Sequence, residues 1–271
     1  MIQLAKLYQD HLLRPFRQQK CHTPTPSYHP SRPSFEEERY FYAAIDDSAP
    51  KDHSQAKQQA LFRDGFQCMV TRVFDDRYVE SLTPEQQAAL MLTAPPQPTN
   101  ACHIFPPTNT GLDPEKEGLD FNTNYAANVW SIVNNFGGIR LEDELNGDQL
   151  HRLSNIMTMS QSTHSMFDTL RLWFEAVPNT LATYDICATL PLYLINITRR
   201  VTFTATKANL ELPDRRYLRM HAAVCRVAYM SGAAEYLDRR DREHKDRKVL
   251  ARDGSSAEFL TTRLQRVLLV A

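Results

Sequence analysis

No surplus of either charge runs through this sequence: 31 basic and 32 acidic side chains leave a formal net charge of −1. Affinity for a phosphate backbone needs concentrated positive charge, so the global balance gives nucleic-acid binding no support and any such surface has to be local. Cysteine is sparse and unpatterned. Its five copies, Cys21, Cys68, Cys102, Cys187 and Cys225, are odd in number and form no CxxC pair, which argues against both a disulfide framework and a four-cysteine zinc module. A reducing interior is the simpler setting. Long hydrophobic runs are missing too, since nothing approaches the roughly eighteen apolar residues of a membrane span. Lys6 and Asp10 interrupt what would have to be the apolar stretch of a signal peptide. The expectation is a soluble intracellular protein, cytoplasmic or nuclear, with no membrane partner, whose Asn196-Ile197-Thr198 sequon never meets the glycosylation machinery.

What is present suffices for a sizeable core. With 42% hydrophobic residues in 271, the chain can bury one generous core or two modest ones. The expected division is a helical arm with a proline-rich linker over 1–53, a central domain over 54–180, and a β/helical extension packed on the core over 181–271. Prolines at 24, 26, 30 and 33 make 21–34 extended or disordered. Helices are predicted over 54–62, ended by Gly65 before a strand over 66–71, and over 84–92, opened by Thr83 and Pro84. Two more are predicted over 124–136, stopped by Gly137 and Gly138, and over 215–250. Shorter helices are expected near the N-terminus, over 35–45 and over 256–270. The segments 183–187, 192–197 and 200–206 are β-prone and suit a small antiparallel sheet.

The chemistry concentrates in two stretches. Asn155 to Asp168 reads NIMTMSQSTHSMFD: a short apolar β-prone run that meets the cap-forming Ser160 and Ser162, so that a strand passes into a helix. His164 and Asp168 lie four apart and share a helix face, while Met166, Phe167, Leu170 and Phe174 turn toward a core. Some fifty residues earlier, ACHIFP at Ala101 to Pro106 is apolar around one imidazole, and Pro106 and Pro107 end its ladder. His103 therefore sits near a strand end.

Two short strands followed by a helix, with His103 on the first, Asn155 opening the second and His164 on the helix, resembles the ββα-metal site of the HNH (His-Asn-His) nucleases. The likeness is closest to the HNH subfamily common among fungal proteins. RDGFQCMVT at Arg63 to Thr71, CHIFP, the eight residues between Asn155 and His164, and the closing HSMFD carry it. Leu218 to Arg240 looks like the helical tail of the same proteins. The resemblance implies an α+β fold with a ββα-metal core, and metal-dependent hydrolysis of phosphodiester bonds in nucleic acid, DNA by family habit. It assigns His103 as general base, Asn155 as the group orienting that imidazole, and His164 as a metal ligand. The implied cofactor is a divalent ion, Mg²⁺ or Mn²⁺.

Cys102 departs from the pattern, because Asp or His often stands beside the base in better-known members. A thiolate prefers Zn²⁺, so either the metal changes or Cys102 is structural, with Asp168 as the replacement carboxylate. Neighbouring strand residues face opposite ways, which favours a buried Cys102 and a His103 that faces the site. Bland readings stand beside each assignment: a bonded core histidine for His103, a surface helix residue for His164, a solvated acid for Asp168 and a turn cap for Asn155. Arg63, Arg152, Arg247 and Lys248 are the candidate phosphate contacts, against a helix-end pair for Arg63 with Asp64, a solvated Arg152 beside His151, and a solvated basic helix over 239–252. The rival functions are an inactive HNH-fold scaffold and an interaction domain stabilised by zinc on Cys102, His164 and His151. Oligomeric state is not legible.

Overall fold

The computed structural model describes residues 8–17, 50, 52–90, 94–106 and 131–246. The proline-rich linker, the helices expected over 35–45 and 256–270, most of 124–136, and the basic pair Arg247 and Lys248 lie outside the described residues. The architecture is α+β. Helix α1 (His53–Arg63) is capped by the Asp52 carboxylate, which accepts from the Gln55 amide at 2.8 Å. Short helices α2 (Asp76–Glu80) and α3 (Pro84–Ala89) follow. In α3, Thr83 and Gln86 form the reciprocal capping box that the sequence spelled out. Strand β1 (Thr99–His103) pairs antiparallel with β2 (Ile156–Ser160), placing His103 opposite Ile156 and Cys102 opposite Met157. Between them come α4 (131–137) and α5 (Leu141–Glu144). Ser160 then turns the chain into α6 (Gln161–Asp168).

The two faces of the β1–β2 ribbon are buried separately, and this decides where the site forms. Alternation along a strand puts Ala101 and His103 on one face and Cys102 on the other. On the first face Ala101 and Ile156 pack with Ala56 and Ala60 of α1. These alanines are small enough to let the helix approach closely, and His53 lies three residues before Ala56 on the same helical stripe. The opposite face, with Cys102, Met157 and Met159, belongs to the main core, which includes Phe167 of α6 and residues from Leu12 to Leu237. Each fully buried side chain of this size contributes about 1.5–3 kcal/mol relative to exposure.

Beyond α6, Leu170 adopts φ of 60° in the turn that leads into strand β3 (Leu172–Ala176), which pairs with β4 (Thr183–Ala188), itself paired with β5 (Arg200–Thr202). Phe174 is thus a strand residue, not a continuation of the His164 helix. Leu192 to Ile197 is no strand either: Pro191 opens a 3-10 turn over Pro191–Leu194, and Leu192 and Ile195 stand 68% and 59% exposed. Proline supplies no ladder donor, so the turn prevails. The stretch 66–71 is a tight loop instead of a strand. Gly65, Phe66 and Arg72 all have positive φ, Gln67 and Phe74 form one isolated bridge, and the Thr71 amide donates to the Cys68 sulfur at 3.4 Å. The long C-terminal helix is two helices, α7 (Arg215–Met230) and α8 (Ala233–Asp246). Gly232, at φ of 70°, makes the break that a β-carbon would resist.

Helix α7 clamps α6 from behind. His221 stacks on Phe167 with ring centroids 3.6 Å apart, and its Nε2 lies 3.3 Å from the Phe167 carbonyl oxygen. No described helix is long and apolar enough to cross a membrane.

Candidate metal and base site

At the His103 end of the ribbon the two faces present different chemistry. On the α6 side, the Cys102 thiol, the His164 imidazole and the Asp168 carboxylate place one ligand atom each within 4.8 Å of one another. His164 Nε2 is 3.3 Å from Asp168 Oδ2, the contact that i,i+4 spacing on a helix predicts. On the α1 side His103 meets two further imidazoles. His103 Nε2 lies 3.2 Å from His151 Nδ1, and the ring of His53 stacks over His103 with centroids 5.4 Å apart. His151 ends the 3-10 turn Gly147–His151.

Asn155 is fully buried beneath this arrangement, but its amide does not reach the His103 ring. Its Oδ1 accepts from the Phe105 amide at 2.9 Å, and its Nδ2 donates to the carbonyls of Phe105 and Leu150, each at 3.0 Å. The amide ties the chain two residues past His103 to the turn that carries His151. Backbone groups outcompete the ring because β1 ends there and leaves its amide and carbonyl without ladder partners.

The expected phosphate contacts fare differently. Arg63 is fully buried, bound to Asp64 and to the carbonyls of Leu153, Ile156 and Glu211, so it is no nucleic-acid contact. Its position at the inner end of α1 makes it a strut. Arg152 keeps a surface position but pairs with Glu211 at 2.8 Å. His53 escaped sequence reading altogether, because it lies fifty residues before its ring partner and belongs to no motif. Its signal was positional: Ala56 and Ala60 mark the buried stripe of α1, and His53 extends that stripe by one turn.

Burial governs the protonation of the whole cluster. It pushes the His103 imidazole down to about 3, helped by the charges of His53, His151 and His164. It takes His164 to about 4, with His53 adding to the effect, and it lifts the Asp168 carboxyl to about 7. Cys102 is held well above the ordinary thiol range by its burial, then by Asp168 and Cys68. At neutral pH the imidazoles are therefore free bases, and the thiol is protonated. A divalent ion reverses this balance for the anionic ligands, favouring carboxylate and thiolate at once. One sulfur, one nitrogen and one oxygen donor, with a further position left to solvent or substrate, fit a borderline ion such as Zn²⁺ better than Mg²⁺, which prefers oxygen alone.

The metal-free protein should consequently lose stability in acid. His103, His164 and His221 fall to about 3, 4 and 3 from 6.5, so below pH 6.5 the unfolded chain takes up protons that the folded protein refuses. Asp168 opposes them, because its raised pKa gives stability that is present in acid and lost as pH rises through about 7. At pH 5 each of the three rings costs about 2 kcal/mol and Asp168 returns about 2–3, leaving a loss of about 3 kcal/mol relative to pH 7. Urea unfolding in EDTA at the two pH values checks this, and a flat profile would contradict the burial of these rings.

Residues 68–175 match the family model described as HNH endonuclease, and this segment is thus similar to that family. The match takes in Cys102, His103, Asn155, His164 and Asp168 but neither His53 nor helices α7 and α8. Endonucleases act on nucleic acid, and nuclease activity is the function class that this match supports. No curated protein and no solved structure matches the chain.

Proposed function

We propose that this protein is an endonuclease that hydrolyses phosphodiester bonds in nucleic acid, DNA in the first instance, with a divalent ion held by Cys102, His164 and Asp168. The observation that carries the reading is the convergence of those three ligand atoms within 4.8 Å, beside a strand-end imidazole and inside a segment that matches a nuclease family. When bound, the ion would supply positive charge at the cleaved phosphate and its departing oxygen. His103 accepts the proton of the attacking water, a role its lone pair is free to play at neutral pH. Asn155 acts at one remove, by fixing the backbone that follows His103.

Cys102 gives the structural-zinc reading its one specific support, since a fully buried thiol suits a tightly held zinc. That reading loses its third member, however, because His151 bonds to His103 and not to the Cys102 group. Supercoiled plasmid separates the two. The EDTA-stripped protein should be inactive, and Mn²⁺ or Mg²⁺ should restore conversion to nicked circles in wild type but not in His164→Ala. Zinc retained through EDTA, with no cleavage under any ion, would establish the structural role instead. Single-stranded DNA and RNA run alongside the plasmid define the substrate class.

A further inference from the structure

The geometry points to a second transition-metal site in this protein, formed by His53, His103 and His151, whose occupation by Zn²⁺ or a similar ion closes the nuclease centre. The three imidazoles each bring a ring nitrogen within 4.8 Å of the others. Two nitrogens on a tetrahedral zinc, each at roughly 2.0–2.1 Å from the ion, stand about 3.3 Å apart. His103 Nε2 and His151 Nδ1 are 3.2 Å apart, so this pair already has the separation of two ligands of one ion. A metal there replaces the single shared proton. His53 is the exposed member, sits in the first turn of α1, and can swing its ring without disturbing the core.

Charge near the cluster favours a cation on balance. The carboxylates of Asp52 and Asp148 act on His151, against the ammonium of Lys57 acting on His53. Three neutral nitrogens select zinc, copper or nickel over magnesium. The donor set is distinct from the mixed sulfur, nitrogen and oxygen group on the other ribbon face, and it shares no residue with it. His53 also stands outside the family-matched segment, on helix α1, so that match does not supply one of the three ligands.

The consequence for cleavage rests on the nuclease reading above, whereas binding does not. His103 Nε2 is the ring nitrogen that faces His151, 3.2 Å from its Nδ1. An ion bound to it fixes the ring among three ligands and takes the Nε2 lone pair out of proton transfer, whichever ring held the shared proton before. The enzyme would then be active when only the Cys102 group is filled and silent when both are.

Zinc titration calorimetry on the EDTA-stripped full-length protein tests the binding. Wild type should take up two equivalents. His53→Ala and His151→Ala should each keep one, with the second weakened by more than about 100-fold, since losing a ligand exceeds the effect of losing a ligand's support. His164→Ala should lose the other equivalent and keep the three-histidine one. Cobalt gives a second readout, because the visible absorption of four-coordinate Co²⁺ held by three imidazole nitrogens and one solvent molecule should vanish in His53→Ala and persist in His164→Ala. An unchanged stoichiometry in both His53→Ala and His151→Ala overturns the site. Cleavage in saturating Mn²⁺ supplies the functional arm: added Zn²⁺ should quench wild type while His53→Ala resists, each relative to its own zinc-free rate. Equal quenching of both would remove the inhibitory role. If no protein cuts, the nuclease reading fails while the stoichiometry still decides the site.

Discussion

A His103→Ala protein is expected to cleave nucleic acid about 10²–10⁴-fold more slowly than wild type, the usual contribution of a positioned general base, while binding the divalent ion of the Cys102 group with unaltered affinity. The separation of these two effects is the informative part. His103 projects to the α1 face of the ribbon and the Cys102, His164 and Asp168 atoms to the α6 face, so removing the imidazole leaves those ligands in place. Burial sets the free ring at about 3, which keeps the lone pair available but makes it a poor proton acceptor. An anionic phosphodiester brought alongside favours the imidazolium and raises the pKa toward neutrality, so the base gains strength only when substrate is bound. Single-turnover cleavage should therefore fall at saturating nucleic acid, with little change in substrate affinity. Loss in calorimetry of the Cys102-group equivalent as well as the three-histidine one would instead mark His103 as a structural residue.

Much of the centre could be read from residue order. The i,i+4 spacing of His164 and Asp168 puts both on one face of any helix, and here they touch. Strand alternation separates Cys102 from His103 whatever the tertiary fold. It correctly buried Cys102, yet burial did not remove the thiol from the ligand group, because the face it enters is the one α6 covers. What stayed hidden depends on chain reversals that leave no residue signature. Leu170 takes a positive φ with no glycine to announce it, so an apolar run read as helix becomes the edge between α6 and β3. The packing of α1 onto the ribbon brings His53 to His103 across fifty residues, and only the small Ala56 and Ala60 hint at it. Gly232 is the converse case, a visible breaker inside a pattern otherwise helical throughout.

Arg63 shows why residue type alone misleads about surface charge, and it yields the largest expected effect on stability. Arg63→Ala should lower unfolding free energy by about 3–5 kcal/mol, the cost of breaking a buried ion pair from one side, against a total of roughly 5–15 for a domain. The guanidinium and Asp64 are both fully shielded from water. Arg63 Nε and Nη2 contact the two Asp64 oxygens at 2.7 and 3.0 Å, and Asp64 Oδ2 also accepts from the Thr158 amide at 2.9 Å. Arg63 Nη1 donates to Leu153 and Glu211, and Nη2 to Ile156. One side chain thus fastens the end of α1 to both ends of the turn that enters β2. Lysine has one compact head in place of this planar fork, so Arg63→Lys should recover only part of the loss. Urea unfolding of Arg63→Ala, Asp64→Asn and the double variant forms a cycle, and the double should cost less than the sum because it strands no charge. Additive effects would show that the two groups act independently. Any fall in nucleic-acid binding by Arg63→Ala should track its unfolded fraction by circular dichroism, since a guanidinium sealed under α1 has no phosphate to meet.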